Sequence, residues 1–531
     1  MPSLRAKRAA NERVRATAAC GSKRDSARRW LVALAAAAGC ALVAGLATPG
    51  VASAAPTGGA SASAGVARTA TTGGATWHAA RQAVNPEHFD ITVDDISCTA
   101  PGDCTAAGAY QQVIDYQYVF EGFVMDQRGG VWGGVAPIPG LLALNTGGYV
   151  TIAALSCASP GNCLVGGSYE NKHNDEYAFI AGERGGKWGR AQEVPGTAIA
   201  GAGGYVTATV TSVSCASPGN CVAGGSYDQS GAAARAFIAG ERGWTWGRAE
   251  QAPGTAALNS AAITSISCAA PGDCTLLGSY GASDKQAAFV SGEKNGIWGS
   301  AAPLPGTATA YALSCVSAGN CVAGGDYRGG STTVAQAAVW RETRGTWSAA
   351  QLLPSVAALN DTTAAPGSAV TLLSCTSLTS CTASGYFTDL APNTAPYVID
   401  ETGGTWRRAQ RIPGLAALGV KADGATTATS LSCGSPGNCA LGGYYFSGFD
   451  ESWADSGGFL ADQTGGAWGK AHRVPGLPVP GANKPITNQV TAVSCTAGGF
   501  CGAAGTDSNT YYQTIVGAFV VNKEVAKKTS K

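Results

Sequence analysis

Between residues 210 and 251 apolar and small polar positions alternate in four short runs: VTSVS (210–214), CVAGGSY (221–227), AFIAGE (236–241) and WGRAEQ (246–251). Each run is four to eight residues long, β-branched or apolar, and bounded by Gly, Pro or Asn, which is how short strands read. They are strands a, b, c and d of one unit. The a–b link, ASPGN, carries the Pro, Gly and Asn of a tight turn.

The unit recurs eight times. Its first cysteines are Cys98, Cys157, Cys215, Cys268, Cys315, Cys375, Cys433 and Cys495. Six residues after each comes a second: Cys104, Cys163, Cys221, Cys274, Cys321, Cys381, Cys439 and Cys501. Copies lie 47 to 62 residues apart, a period typical of propellers and other repeat arrays. A hairpin sets the two cysteines of a unit across from each other, where a bridge fits. Closing so small a loop stabilises the fold by roughly 2 kcal/mol, which offsets the small apolar area that Gly- and Ala-rich strands bury.

The ends of the chain are out of phase with the repeat. TWHAARQAVNP at Trp77 matches KWGRAQEVPG at Trp188 and TWRRAQRIPG at Trp406, and so is a strand d with no unit before it. VTAVSCTAGGFCGAAG and AFVVNKE supply strands a to c with no Trp strand after them. The expected fold is therefore all-β: an eight-bladed β-propeller, four strands per blade, with intra-blade disulfides and the last blade completed by the N-terminal strand. Closure removes strand edges that an open array exposes. A β-solenoid explains the repeat but not the split unit.

Composition and charge add compartment. Residues 1–29 hold nine Lys or Arg against Glu12 and Asp25, then an apolar run reaches from Trp30 to Ala47, then Ala52-Ser53-Ala54. That order is an export signal over 1–54 with a cleavage pattern; an uncleaved anchor is its rival, since the run approaches the length of a membrane span. Residues 55–72 read as a flexible Ala/Gly/Ser/Thr linker, 73–525 as the propeller and 526–531 as a basic tail. The whole chain carries +1 and the signal a surplus of seven, so the remainder is mildly acidic, about −6. Such a chain has no electrostatic basis for binding nucleic acid. Sixteen of the 18 cysteines lie in the eight pairs, as a disulfide framework in an exported protein requires. Zinc is the competing use, but no His stands inside a cysteine motif. The expectations are a secreted or envelope-associated protein, no cofactor, no metal, and no membrane contact once the signal is removed.

In a propeller the a–b and c–d turns share one rim, and the b–c and d–a links share the other. The first set is short and uniform here. The second varies: QQVIDYQYVFEG in unit 1, ENKHNDEY in unit 2, SGFDESWADSGG in unit 7. Variable loops on a fixed scaffold are where binding is expected. At the end of strand b stand Tyr110, Tyr169, Tyr227, Tyr280, Tyr327, Phe387 and Tyr445, with Asp507 in unit 8. These are the candidate ligand-binding residues: a ring of aromatics to stack on sugars, with Asp115, Glu170, Asp228, Asp326, Asp389 and Asp507 to hydrogen-bond hydroxyls. The alternative is packing between blades, since period-two counting puts each aromatic on the face of its cysteine. The recurrent Trp read as blade-to-blade packing.

A sialidase-like hydrolase needs an arginine cluster. Arg81, Arg128, Arg184, Arg190, Arg242, Arg248, Arg341, Arg344, Arg407, Arg408, Arg411 and Arg473 all fall in the c–d turn or strand d, and only Arg235 and Arg328 near the variable rim. No G-x-S-x-G or H-E-x-x-H occurs, and no catalytic residue is assigned. A pair of loop carboxylates would still make a glycosidase. The expected function is a non-catalytic binding or interaction module at the envelope or outside the cell, with a glycan or envelope component as partner. A glycan-processing hydrolase and a structural envelope component are the alternatives.

Five residues before the Trp stands Gln127, Glu183, Glu241, Glu293, Glu342, Glu401 or Gln463, and Gly186, Gly296, Gly345, Gly404 and Gly466 lie two before it. This turn resembles the BNR or Asp-box repeat of sialidase-like and sortilin-like propellers over about eight residues per unit, without its Ser and Asp. Bacterial secreted propellers with paired-cysteine blades are the closer resemblance. It implies fold and export, not chemistry.

Overall fold

The computed structural model describes residues 76–83 and 89–524, apart from loop residues 198–205, 230–231, 283–285, 307, 330–333, 361–366, 390–393, 421–424, 451–452, 481–485 and 510–515. The expected export signal, linker and basic tail lie outside the described residues.

Each unit is an antiparallel sheet in the order a-b-c-d. In unit 3 the strands are Val206–Ser217, Asn220–Gln229 and Arg235–Arg242, followed by a strand d in two pieces, Thr245–Trp246 and Glu250–Gln251, both paired to strand c. Strand a carries a bulge between Val210 and Ser212, which brings its backbone close to strand b. A Cβ at Gly225 would lie 1.8 Å from the Thr209 carbonyl oxygen, so the second Gly of CVAGGSY is a steric requirement.

The cysteines of a unit are directly opposite in the a–b register, as Cys215 and Cys221 are, and all eight pairs are bonded within their own unit. The eighth sheet consists of Ile486–Cys495, Cys501–Asn509 and Val516–Glu524, and its outer strand comes from the other end of the chain. Trp77 pairs with Lys523, and Arg81 to Ala83 pair with Val520 to Ala518. The protein is an eight-bladed β-propeller.

Strand a is the inner one: each lies against its counterparts in the units before and after, and Phe89–Ala100 of unit 1 lies against both Val150–Ser159 and Ile486–Cys495. The serine before every first cysteine makes this contact polar. Ser97 Oγ accepts the backbone N–H of Cys157 at 3.1 Å, Ser156 that of Cys215 and Ser214 that of Cys268, both at 3.0 Å. Ser267, Ser314, Ser374 and Ser432 do the same for Cys315, Cys375, Cys433 and Cys495. Thr211, Thr429 and Thr491 reach the carbonyls of Ile263, Val490 and Val93 in the following unit.

Between the sheets sits the apolar core. Phe123, Phe179, Phe237, Phe289, Phe459 and Phe519 hold one position of strand c and are buried, with Tyr397 in unit 6. Unit 5 has Ala338 there and fills the space with Trp340, whose indole donates to the Pro305 carbonyl.

Candidate functional site

The two rims differ in kind. On the a–b and c–d rim the turns of units 1, 2, 5 and 7 are tied together: Gly130 N–H to Gly102 O, Gly186 to Gly161, Gly345 to Gly319 and Gly466 to Gly437, all at 2.9 Å. The carboxylates before the Trp bridge units in pairs. Arg128 meets Glu183 and Arg242 meets Glu293, each at 2.7 Å, and Arg341 pairs with Glu401. Burial, reinforced by Asp126 and opposed by Arg128, pushes the Glu183 carboxyl up to about 7. The Trp are ties as well. The indoles of Trp188, Trp468 and Trp77 donate to Asp126, Asp400 and Asp462 of the preceding unit. This rim holds the ring together.

The candidate ring at the end of strand b is placed unevenly. Tyr110, Tyr169, Phe387 and Tyr445 are buried, as is Asp507; Tyr227, Tyr280 and Tyr327 are half-buried. Tyr110, Tyr227 and Tyr280 pack on the core rings Phe123, Phe237 and Phe289. The end of strand d reaches the same position from outside. Gln82 donates to Asp507 at 2.7 Å, and Arg473 Nε donates to the Tyr445 hydroxyl at 2.9 Å. Arg411 lies 4.7 Å over the Phe387 ring and forks onto both oxygens of Asp389 at 2.6 and 2.7 Å. Arg411 and Arg473 therefore belong to the variable rim, not to the opposite one where strand-d membership suggests. The reason is that strand d runs from one rim to the other, and these residues are at its far end.

Three features occupy the variable rim. The first is the b–c hairpin of unit 1, whose strands Asp103–Ile114 and Gln117–Arg128 turn at Asp115 and Tyr116, both with positive φ. Val113 pairs with Tyr118, and they are 54% and 69% exposed; Tyr116 at the tip is fully exposed. Phe120, two residues on and on the same face, packs edge-on against Tyr149 of the d–a link at 5.5 Å, and Tyr149 is itself 42% exposed. The second is a cleft of about 300 Å³ between the unit 2 d–a link and unit 3, lined by Thr197, Tyr227, Asp228, Arg235, Glu250 and Gln251 among others. Burial holds Asp228 above the usual carboxylate range. The third is a polar cluster at the boundary of units 5 and 6, built on Tyr311, Asp326 and Arg328.

Of the acids proposed to meet hydroxyls, Asp115 is thus at a hairpin tip, Glu170 opposite Glu176 at the end of strand b in unit 2, Asp228 in the cleft, Asp326 and Asp389 in ion pairs, and Asp507 against Gln82. Tyr116, Tyr118, Tyr149 and Tyr311 were not candidates. The first two lie inside the variable loop QQVIDYQYVFEG, and the signal for them was an alternation that runs on past the usual end of strand b. Among the described residues no group of three or more His, Cys, Asp and Glu is arranged to hold a metal ion, and no helix is long and apolar enough to cross a membrane.

No family model matches the chain, and no curated protein matches it. Among solved structures it is similar to the polysaccharide lyase Uly1, with a TM-score of 0.43 and 10% identity over 81% of this chain and 89% of that one. It is also similar to the β-propeller domain of the Trilobed protease from Pyrococcus furiosus, with a TM-score of 0.37 and 7% identity over 81% and 94%. A subtype N11 neuraminidase-like protein of A/flat-faced bat/Peru/033/2010 gives 0.32 and 9% over 70% and 87%. The propeller assignment rests on the strand pairings and ring contacts above.

Proposed function

We propose that the protein is an exported, non-catalytic binding module that takes carbohydrate on its b–c and d–a rim. Eight intra-blade disulfides support the compartment, because such bonds form and persist outside reducing cytosol. One observation carries the ligand class: exposed Tyr118 opposite Val113 on the hairpin, with exposed Tyr149 on the adjoining link packed edge-on against Phe120. Exposed aromatics gathered on one hairpin and the link beside it mark an interaction site rather than scattered surface. A tyrosine offers an apolar face for the C–H face of a sugar and a hydroxyl for its oxygens. Phe120, packed against the unit 2 core, holds the base of this group rigid. The Gly-and-Trp turn that resembles a BNR repeat lies on the other rim and supports scaffold, not chemistry.

A glycan array with the mature protein tests this. Selective signals are expected, and Tyr118→Ala and Tyr149→Ala should each abolish them in a chain that still folds. Equal weak signal across all sugars would remove carbohydrate as the ligand class.

A second reading, glycan hydrolysis, is favoured by the cleft, where Asp228 and Glu250 line one volume and Asp228 is held protonated to higher pH, as a general acid must be. Release of reducing ends from an oligosaccharide, lost in Asp228→Asn and in Glu250→Gln, would replace the binding reading with this one.

A further inference from the structure

The polar cluster of unit 5 departs from its counterparts in the ring. Four residues before the first cysteine, units 3, 4, 7 and 8 carry Thr211, Thr264, Thr429 and Thr491, whose hydroxyls all donate to backbone carbonyls. Unit 5 has Tyr311 there, and its hydroxyl donates to Asp326 Oδ1 at 3.1 Å. Asp326 is 1% exposed. Its second oxygen accepts from Arg328 Nε at 3.3 Å. Burial raises the Asp326 pKa, and the bonds from Tyr311 and Arg328 oppose that rise. Across the boundary, Tyr386 holds in unit 6 the place Asp326 holds in unit 5, five residues after the second cysteine. Burial chiefly raises its phenol pKa, and it is near enough for Asp326 to add to that rise and for Arg328 to oppose it.

Arg328 itself is out of pattern. Seven residues after the second cysteine the other units carry Gln111, Glu170, Asp228, Gly281, Thr388, Phe446 and Ser508, so unit 5 alone puts a cation there. The Arg328 side chain is 56% exposed. Among the described residues its partner is Asp326, met through Nε, which leaves the donors on Nη1 and Nη2 to be shared with solvent or a ligand. The buried acid anchors the guanidinium at Nε, and the opposite edge, Nη1 and Nη2, is a two-donor fork of the kind that matches a carboxylate.

We infer that Arg328, held by Asp326 beside Tyr311 and Tyr386, is a receptor for a carboxylate group at the variable rim of units 5 and 6. Asp326 cancels the charge of the arginine beyond a few ångströms. Recognition therefore depends on the short, paired hydrogen bonds of the fork, and a lysine cannot reproduce them. The site is separate from the Tyr118 and Tyr149 surface and does not depend on that reading.

The test is titration calorimetry of the full chain with two carboxylates and their neutral counterparts: glucuronate against glucose, and N-acetylglutamate against N-acetylglutamine. At least tenfold tighter binding of one or both carboxylates is expected. Glucuronate alone would assign the carboxylate to an acidic sugar, N-acetylglutamate alone to an acidic peptide. Arg328→Lys, which keeps a cation beside buried Asp326 and so preserves the fold, should lose at least tenfold in affinity at an unchanged melting temperature. Arg328→Gln should lose at least as much. Equal binding of the neutral compounds, binding of none of the four, or full affinity in Arg328→Lys would overturn the assignment.

Discussion

Ser494 Oγ accepts the backbone N–H of Cys98 at 2.9 Å, across 396 residues of chain. It is the eighth bond of a series whose other seven join consecutive units, and it has the same geometry. A ring closed by the same contact that spaces it has no weak junction at this level. Replacing one of these serines with alanine strands a buried N–H, which costs about 1–3 kcal/mol. Ser494→Ala and Ser214→Ala should therefore lower stability in denaturant by similar amounts. A cost confined to Ser214→Ala would show that units 8 and 1 are not held as the others are.

The N-terminal strand is a second lock on the ring, at the boundary of units 7 and 8. The Trp77 indole donates to both oxygens of Asp462, at 3.0 and 3.2 Å, and the Lys523 ammonium reaches the same carboxylate at 2.9 Å. Trp77→Ala should cost about 3–5 kcal/mol, the range for buried Trp truncation. A chain starting at residue 89 would leave Val516–Glu524 as an unpaired edge, so light scattering should show association that the full chain lacks.

Each disulfide spans a hairpin of seven residues, and in the chain-entropy model such a link is worth about 2 kcal/mol. Cys215→Ser with Cys221→Ser should lower unfolding free energy by about that amount while the fold persists, because the pair opposes within a formed hairpin. Full reduction should lower the melting temperature much further. An unchanged melting temperature in reductant would mean that the strands carry the fold unaided.

The architecture was legible because it is written in repeats. The cysteine spacing gives hairpins, and the stray Trp77 strand gives the closing blade. The Ser-Cys dipeptide was equally visible in all eight units, but period-two counting assigns Ser494 a face, not a partner 396 residues away. The rim was harder to read. Arg411 and Arg473 belong to a strand that touches both rims, so membership of strand d does not say which one the side chain serves. Tyr311 stands where units 3, 4, 7 and 8 have threonine, and its use became visible only with Asp326 and Arg328 beside it.

The buried acids set an unusual response to pH. Burial pushes Asp94 and Asp95 up on the inner strand of unit 1, although Asp95 accepts the N–H groups of Ile96 and Leu155 at 2.8 Å. Glu183 rises to about 7, and Glu176, Glu293, Asp326, Glu342 and Glu401 move the same way, each chiefly through burial. Asp462 moves down, held by His472, Lys523 and Trp77 against the opposing effect of burial. A group with a raised native pKa binds its proton more tightly folded than unfolded, so its contribution is full below its ordinary pKa and is lost as pH rises through the native value. For Asp94, Asp95 and Glu183 that window runs from about 4 to about 7, and the other acids lose their contribution in the same direction. Asp462 contributes in the opposite sense, but among the described residues the raised groups outnumber it. The melting temperature should therefore be higher at pH 4.5 than at pH 8, and Asp94→Asn should flatten the slope. A melting temperature that climbs steadily from pH 4.5 to pH 8 would show that these carboxyls are solvated in the native state, with the inner face of unit 1 open to water.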